Sequence, residues 1–308
     1  MPGIPLDQRE LGCLRGKEAG PTLILVAGIH GNEPAGVAGI RRVLDALTRR
    51  KRRLCGEVLA LAGHVRALRA GERFEARDLN RVWTPPLVEA LRAKAAAGEA
   101  LDAEEHEQLE LLTVIEAAIA RARGPVVLAD LHTTSAQGIP FAIFGDTPAQ
   151  RAFVQAVPIP NILGLEAMVP GVLTHYWAQR GLVTFAVEGG QHDDPAAVDN
   201  HAAVTWLALD RAGLFQGRRP AEVGHAHRRL TACRGDLPQV LEVLERRSIT
   251  PEDDFVMEPG FRNLDYARAG QLLARDRRGE IRAPTEGIVL LPLYQKLGSD
   301  GFYWGRTV

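Results

Sequence analysis

Short apolar runs alternate with longer segments of mixed polarity along the first two-thirds of the chain. Strands separated by helices indicate an α/β fold, with a mostly parallel or mixed sheet flanked by helices. Four of the runs have the length and composition of buried strands: residues 23–27, 56–62, 126–131 and 183–187. The segments between and after them predict helices at residues 34–47, within 87–123 and at 200–214.

The pattern changes after about Gly217, where Pro and Gly recur between short apolar segments. Residues 269–274, 279–281 and 283–290 predict strands of a compact all-β unit, whose turn spacing resembles a barrel-sandwich module of the biotinyl/lipoyl type. No lysine occupies a lipoyl-like hairpin, so we expect no covalent cofactor. We therefore predict two domains, a larger one over residues 1–216 and a β-rich C-terminal one over residues 217–308.

Composition narrows the class of protein. The 308 residues are 46% hydrophobic and 24% charged, which is enough apolar material for a large core. The net charge of −1 argues against a nucleic-acid partner. Cys13, Cys55 and Cys233 are too far apart in sequence to suggest a disulfide framework. With no signal-peptide core and no apolar run of membrane-spanning length, we expect a cytoplasmic protein with no membrane partner.

The segment AGIHGNEPA, residues 27–35, follows the first predicted strand and carries the first candidate chemistry. His30 and Glu33 are both metal-ligand types, and they lie where a strand ends and a helix begins. Active sites of open α/β sheets lie at the carboxyl ends of strands. A catalytic zinc takes three protein ligands and leaves one position open, so His30 and Glu33 need a third partner.

His132 is the best third ligand, because it ends the predicted strand at residues 126–131. Asp130 precedes it by two residues, which places both side chains on one face of a strand. Such a carboxylate can orient a ligand histidine, and we name His30 as its first candidate partner. Taken singly, each histidine would be read as structural. The mixed nitrogen and oxygen ligands favour zinc, while cobalt, manganese and iron stay open.

Glu188 ends the fourth predicted strand and is followed by Gly189 and Gly190. If it lies near the metal, it can take a proton from the attacking water and give it to a leaving amine. A capping or salt-bridged glutamate is the alternative interpretation.

The segment GERFEARDLNR follows the second predicted strand and indicates a loop rich in donors. Its arginine forks and its asparagine amide suit a small anionic substrate, and Arg77 is expected in a surface salt bridge. The candidate substrate-binding residues of this loop are Asp78, Asn80 and Arg81, and Arg73 is a further candidate for contact with an anionic group. The sequence does not decide whether five further residues line the pocket: His175, Arg180, His192, Tyr294 and Tyr303.

Four motifs in this order, GIHGNEP, RDLNR, DLHTTS and the strand ending in Glu188, resemble the succinylglutamate desuccinylase/aspartoacylase family, which is related to zinc carboxypeptidases. The resemblance implies one Zn²⁺ per chain and hydrolysis of the amide bond of a small anionic N-acyl amino acid. It implies His30, Glu33 and His132 as zinc ligands and Glu188 as general base and acid. It also implies that Arg73 and Arg81 stabilise the oxyanion and bind the substrate carboxylate, with Arg73 at the oxyanion and Asn80 beside Arg81, and it is compatible with a homodimer.

Aspartoacylases hold the acyl-side carboxylate with an arginine. Residues 174–180 have no arginine at the corresponding position, because Arg180 lies two positions late. The acyl group therefore stays open between acetyl, succinyl and others. Two further functions stay open as well. One is a metallocarboxypeptidase that acts on peptides, and the other is a zinc-binding protein without catalysis.

Overall fold

The computed structural model describes residue 6 and residues 8–308, so the first residues of the predicted larger domain lie outside the described part. Strands follow the chain in this order: β1 (Glu10–Arg15), β2 (Thr22–Ala27), β3 (Glu57–Ala62), β4 (Val126–Thr134), β5 (Phe141–Ile143), β6 (Asn161–Leu163), β7 (Val183–Gln191), β8 (Val240–Ser248), β9 (Val256–Met257), β10 (Asp265–Ala267), β11 (Leu272–Asp276), β12 (Gly279–Arg282), β13 (Gly287–Leu290) and β14 (Asp300–Thr307).

The helices are α1 (Ala35–Arg49), α2 (Val65–Ala70), α3 (Pro85–Ala96), α4 (Ala103–Ala120), α5 (Pro148–Val154), α6 (Leu165–Met168), α7 (Leu173–Ala178), α8 (Pro195–Ala212) and α9 (Ala221–Arg234), with 3-10 turns at Leu79–Arg81 and Pro251–Asp253. Over residue 6 and residues 8–308, no helix combines the length and the apolar composition needed to cross a membrane.

A large mixed sheet of eleven strands organises the fold, in the order β1-β3-β2-β4-β7-β5-β6-β8-β14-β13-β10. Strands β3, β2, β4 and β7 are parallel to one another and form its centre. A second, small antiparallel sheet has the order β12-β11-β9. The predicted α/β fold with a mixed sheet flanked by helices is therefore confirmed, together with a small C-terminal sheet.

The central strands are buried on both faces, which explains their unbroken apolar sequences. Leu23 and Leu25 of β2 pack in a core with α1 and α8. Ile24 and Val26, which point to the opposite face, pack in a second core with α4 and α7. Helix α1 begins where expected, at the residue after Pro34.

The C-terminal third differs from the prediction in two respects. Helix α9 lies inside the segment predicted to be β-rich, where its sequence carries only three buried residues and little apolar periodicity. Strands β8, β14, β13 and β10 continue the large sheet rather than form a separate unit, because β8 pairs in parallel with β6. The division into two domains at residues 216 and 217 stays a prediction.

The parallel register brings the candidate residues together. Ala27 of β2 is paired with Leu131 of β4, so the turn after β2 lies beside His132. His132 is in turn paired with Glu188 on β7. Three neighbouring strands thus deliver their carboxyl ends to one edge of the sheet.

Candidate metal centre

Glycines shape the turn that carries His30. Gly28 has a φ of +68°, a conformation that L side chains rarely adopt. A Cβ atom on Gly31 would lie 2.0 Å from the carbonyl carbon of Ala67 in α2. The turn can approach α2 so closely only with glycine at this position. This packing leaves His30 and Glu33 only 4% and 3% exposed.

The three predicted ligands converge on one point. Nδ1 of His30 lies 2.9 Å from Oε1 of Glu33, and Nδ1 of His132 lies 3.2 Å from Oε2 of the same carboxylate. One ligand atom from each of the three side chains lies within 4.8 Å of the other two. The arrangement can hold one metal ion with two imidazole nitrogens and a carboxylate, a donor set typical of zinc.

Each histidine has a carboxylate on its other ring nitrogen. Oδ1 of Asp78 lies 3.0 Å from Nε2 of His30, and Oδ2 of Asp130 lies 2.9 Å from Nε2 of His132. With Nε2–H donating to these carboxylates, both Nδ1 atoms are free to bind a metal. Carboxylates in this position fix the tautomer and the orientation of the ring.

These contacts correct two expectations. Asp130 orients His132 and not His30, because the two residues share a face of β4 whereas His30 lies on a turn beyond β2. Asp78 was predicted to bind substrate, yet its carboxylate contacts His30 and Arg73 and it is not among the residues that line the cavity. We therefore regard Asp78 as a residue that positions His30.

The electrostatics of the cluster suit a cation. Burial alone would raise the pKa of Glu33, but the two histidines hold it well below its usual value. Burial would lower the pKa of His132, but the carboxylates of Asp130 and Glu33 hold it well above its usual value. The buried carboxylates of Glu33 and Asp130 thus stabilise positive charge, which a divalent metal can supply.

Glu188 lies beside the cluster on β7, paired in the sheet with His132. Burial raises the pKa of Glu188 to about 8, and the nearby carboxylate of Glu33 adds to the effect against opposition from His132. Its Oε2 atom is buried and has no hydrogen-bond partner among the described residues. Glu188 therefore combines a raised pKa with an oxygen that has no hydrogen-bond partner among the described residues, in a side chain that lines the cavity.

The loop after β3 and α2 brings three of its candidates to the cavity, namely Arg73, Asn80 and Arg81. Arg73 donates to Glu33 at 3.3 Å and to Asp78 at 3.0 Å, so it lies directly over the ligand cluster. Arg81 donates to the carboxylate of Asp300 at 3.2 Å. The Asn80 side chain accepts from the backbone N–H of Leu173 at 2.9 Å and fixes the neighbouring loop.

The cavity above the cluster has a volume of about 940 Å³, including its solvent-filled mouth. His192 and Tyr303 line it, whereas His175, Arg180 and Tyr294 do not. The segment between β13 and β14 forms part of its wall through residues 291–293, 295 and 298–299. Chain from the C-terminal third therefore encloses the site.

Sequence reasoning missed three residues that belong to the site. The backbone N–H of Thr133 donates to Oε2 of Glu33 at 2.9 Å, and its place directly after His132 was the available signal. Asp300 pairs with Arg81 and Arg246 across 219 and 54 residues of sequence. Glu166 lines the cavity from α6, a four-residue helix with no pattern to identify it.

Comparison with known proteins agrees with this geometry. The family model of the succinylglutamate desuccinylase/aspartoacylase catalytic domain matches residues 19–200, which is more than half of the chain. A succinylglutamate desuccinylase from Pseudomonas putida is 40% identical over 92 residues, which are 30% of this chain and 26% of that protein. Another from Ectopseudomonas mendocina is 39% identical over 67 residues, covering 22% of this chain and 20% of that protein. These matches thus span about a quarter or less of those relatives.

Solved structures agree in fold over nearly the whole chain. A succinylglutamate desuccinylase/aspartoacylase from Rhodobacter sphaeroides superposes with a TM-score of 0.67 at 19% identity, covering 96% of this chain and 88% of that one. An ectoine utilization protein from Ruegeria pomeroyi gives a TM-score of 0.66 at 19% identity, covering 100% and 98% of the two chains. With the family model matched across His30, Glu33, His132 and Glu188, the chain belongs to the succinylglutamate desuccinylase/aspartoacylase family of metal-dependent deacylases.

Proposed function

We propose that this protein hydrolyses the amide bond of a small N-acyl amino acid with the help of one zinc ion. The observation that carries the proposal is the position of Glu188, whose buried Oε2 has no hydrogen-bond partner among the described residues, beside three converging metal ligands. A site that only stored a metal would have no use for such a group. Zinc is the metal typical of the family.

His30, Glu33 and His132 would hold the zinc, which supplies a Lewis acid that polarises the substrate carbonyl and makes water more acidic. Asp78 and Asp130 keep both imidazoles in the tautomer that leaves Nδ1 free. The backbone N–H of Thr133 holds the carboxylate of Glu33 in place. The geometry of the ligands is thus set before substrate arrives.

Glu188 carries out the proton transfers. Its free carboxylate oxygen takes a proton from the water that attacks the amide carbon. The same group then donates this proton to the amine nitrogen as the carbon–nitrogen bond breaks. A pKa above that of an ordinary glutamate suits both roles, because the group must hold the proton between the two steps.

Arg73 and Arg81 act on the charges of the substrate. Arg73 lies over the ligand cluster with its Nε–H unpaired among the described residues, and it donates to the oxygen on which negative charge develops. Arg81, held by Asp300, receives the carboxylate of the amino acid together with the Asn80 amide.

The test is a release assay on zinc-loaded protein with a panel of N-acetyl- and N-succinyl-amino acids. We expect turnover of at least one member, and a loss of at least about 100-fold in Glu188→Gln with zinc still bound. Glu99→Gln, which changes an exposed glutamate, is the matched control and keeps wild-type turnover. Near-normal turnover in Glu188→Gln would contradict the assigned role.

The same assay separates the alternative functions. Cleavage of C-terminal residues from peptides, with no release from N-acyl amino acids, would identify a metallocarboxypeptidase. Residues 291–293, 295 and 298–299 form part of the cavity wall, which favours small substrates over extended peptides. Stoichiometric zinc with no hydrolysis of either class would identify a protein that binds zinc without catalysis.

A further inference from the structure

Glu166 is a buried acid in the wall of the cavity that the mechanism does not use. The residue is 5% exposed, and its Oε1 atom has no hydrogen-bond partner among the described residues. Apolar side chains line the same part of the cavity, among them Ile143, Leu165 and Val169. A carboxyl group in such a wall costs free energy unless it finds a donor, and polar groups left unpaired in this way call for an explanation.

The local structure makes room for this acid. A Cβ atom on Gly145 would lie 2.7 Å from Oε2 of Glu166, so any larger residue there would press on the carboxyl group. Burial raises the pKa of Glu166, and the Thr174 hydroxyl lowers it through a hydrogen bond. A cation that binds beside Glu166 would therefore stabilise the ionised, carboxylate form of this side chain.

Both arginines that line the cavity are paired with carboxylates of the protein. Of the described residues that line it, only Arg73 and Arg81 are arginines and none is a lysine. Arg73 contacts Glu33 and Asp78, and Arg81 contacts Asp300. A substrate with a second carboxylate would thus meet an acid in this part of the wall, while both arginines of the cavity are each paired with a carboxylate of the protein.

The position of Glu166 relates it to the amino-acid part of the substrate. The loop between α6 and α7 is fixed to the Asn80–Arg81 segment, since the N–H of Leu173 donates to Asn80 and the N–H of Trp83 donates to the carbonyl of Gly171. Glu166 and Thr174 lie at the two ends of that loop. If Asn80 and Arg81 hold the α-carboxylate, Glu166 faces the side chain of the same amino acid.

From this geometry we infer that Glu166 selects N-acyl amino acids whose side chain ends in a cationic N–H donor, an ammonium or a guanidinium group. The inference rests on the proposed function and names its substrate class. The α-carboxylate of such a substrate binds Arg81. The cationic N–H group at the end of its side chain donates a charge-assisted hydrogen bond to Oε1 of Glu166.

The experiment compares Nα-acyl-lysine with Nα-acyl-norleucine, which has a similar length and no charge, and with Nα-acyl-glutamate. Acetyl and succinyl forms of each are used on zinc-loaded protein, and the arginine derivatives distinguish guanidinium from ammonium. We expect kcat/KM for lysine to exceed that for norleucine by about tenfold or more, as one hydrogen bond to a charged group allows. In Glu166→Gln this ratio falls toward one, whereas Glu99→Gln keeps it.

A preference for glutamate over lysine in the wild type, or an unchanged ratio in Glu166→Gln, would overturn the inference. If no N-acyl amino acid is hydrolysed, the proposed function fails, and binding of the free amino acids decides the role of Glu166 separately. Calorimetry on zinc-loaded protein should then show lysine binding about tenfold tighter than norleucine, with the difference lost in Glu166→Gln. Equal binding of the two would refute the selection.

Discussion

Two buried clusters of histidine and carboxylate lie at neighbouring strand ends, and only one converges on a point that a metal can occupy. The first is the metal centre. The second, which we call the His64 cluster, consists of Arg9, His64, Glu104 and Glu107 and lies after β3, the strand next to β2. His64 is fully buried, and the two histidines of the metal centre are almost completely buried.

The difference lies in how the carboxylate oxygens are used. In the His64 cluster, Glu107 accepts the N–H groups of Val65 and Arg66 at the start of α2, each at 3.0 Å. Oε1 of Glu104 likewise accepts the N–H groups of Glu75 and Ala76. These carboxylates tie loops and helix ends together. In the metal centre both Nδ1 atoms face one carboxylate, so lone pairs converge on one point.

The largest expected difference comes from removing one histidine of each cluster. His132→Ala should lower zinc affinity by more than about 100-fold and remove turnover, because even the outer partners of a ligand contribute about 10- to 100-fold. His64→Ala should keep stoichiometric zinc and lower the free energy of unfolding by about 2–3 kcal/mol, since it removes a buried ring that contacts Glu104 and accepts the N–H of Ala67. Elemental analysis and urea unfolding measure the two effects. Loss of zinc in both variants would contradict the distinction between the metal centre and the His64 cluster.

The next effect concerns acid stability. Burial would raise the pKa of Glu107, but His64, Arg9 and the backbone N–H of Arg66 lower it from 4.5 to about 2. The native state therefore favours the carboxylate, and this stability is complete above about pH 4.5 and lost as the pH falls toward 2. Glu107→Gln should lower the free energy of unfolding at pH 7 by about 3 kcal/mol.

Urea unfolding of zinc-loaded wild type and Glu107→Gln between pH 7 and pH 3 tests this sign. The difference between the two proteins should shrink steadily below about pH 4.5, and zinc content at pH 7 should be the same. A difference that does not change with pH would show that Glu107 stabilises the fold by packing and not by charge.

The smallest effect separates the supporting carboxylates. Asp130→Asn should lower zinc affinity by about 10- to 100-fold, because the orienting acceptor on Nε2 of His132 is weakened. Glu104→Gln, the equivalent change beside His64, should leave zinc affinity at the wild-type value. Competition with a chelating dye measures both. Equal zinc affinity in Asp130→Asn and wild type would contradict the assignment of Asp130 as the residue that orients His132.

The ligand residues were predictable because parallel strands in register end at the same edge of a sheet. His30 and Glu33 follow β2, His132 and Glu188 lie near the carboxyl ends of β4 and β7, and these strands are neighbours in that order. The apolar runs that identify the strands are local signals, and so are the glycines that flank His30. Residue chemistry and strand position together were enough for these four side chains.

Partners could not be predicted where the sequence offered more than one candidate or where pairing depends on distant chain segments. Asp130 lies on the strand of His132, and the sequence alone did not reveal that this shared face decides its partner. Asp300 reaches Arg81 only because β14 joins the large sheet through β8, a pairing that no periodicity in residues 217–308 indicated. Glu166 is on a helix too short to leave a pattern.

The sequence by itself determined the α/β class, the central strands and the metal-binding residue types, because apolar period and strand-end position are properties of short segments. The tertiary structure alone decided which carboxylate orients which histidine, that the C-terminal strands extend the same sheet, and that an unpaired acid, Glu166, lies in the cavity wall. Asp130 meets a histidine only two residues away, but the other features depend on segments that are dozens to hundreds of residues apart, and all of these contacts exist only once the chain has folded.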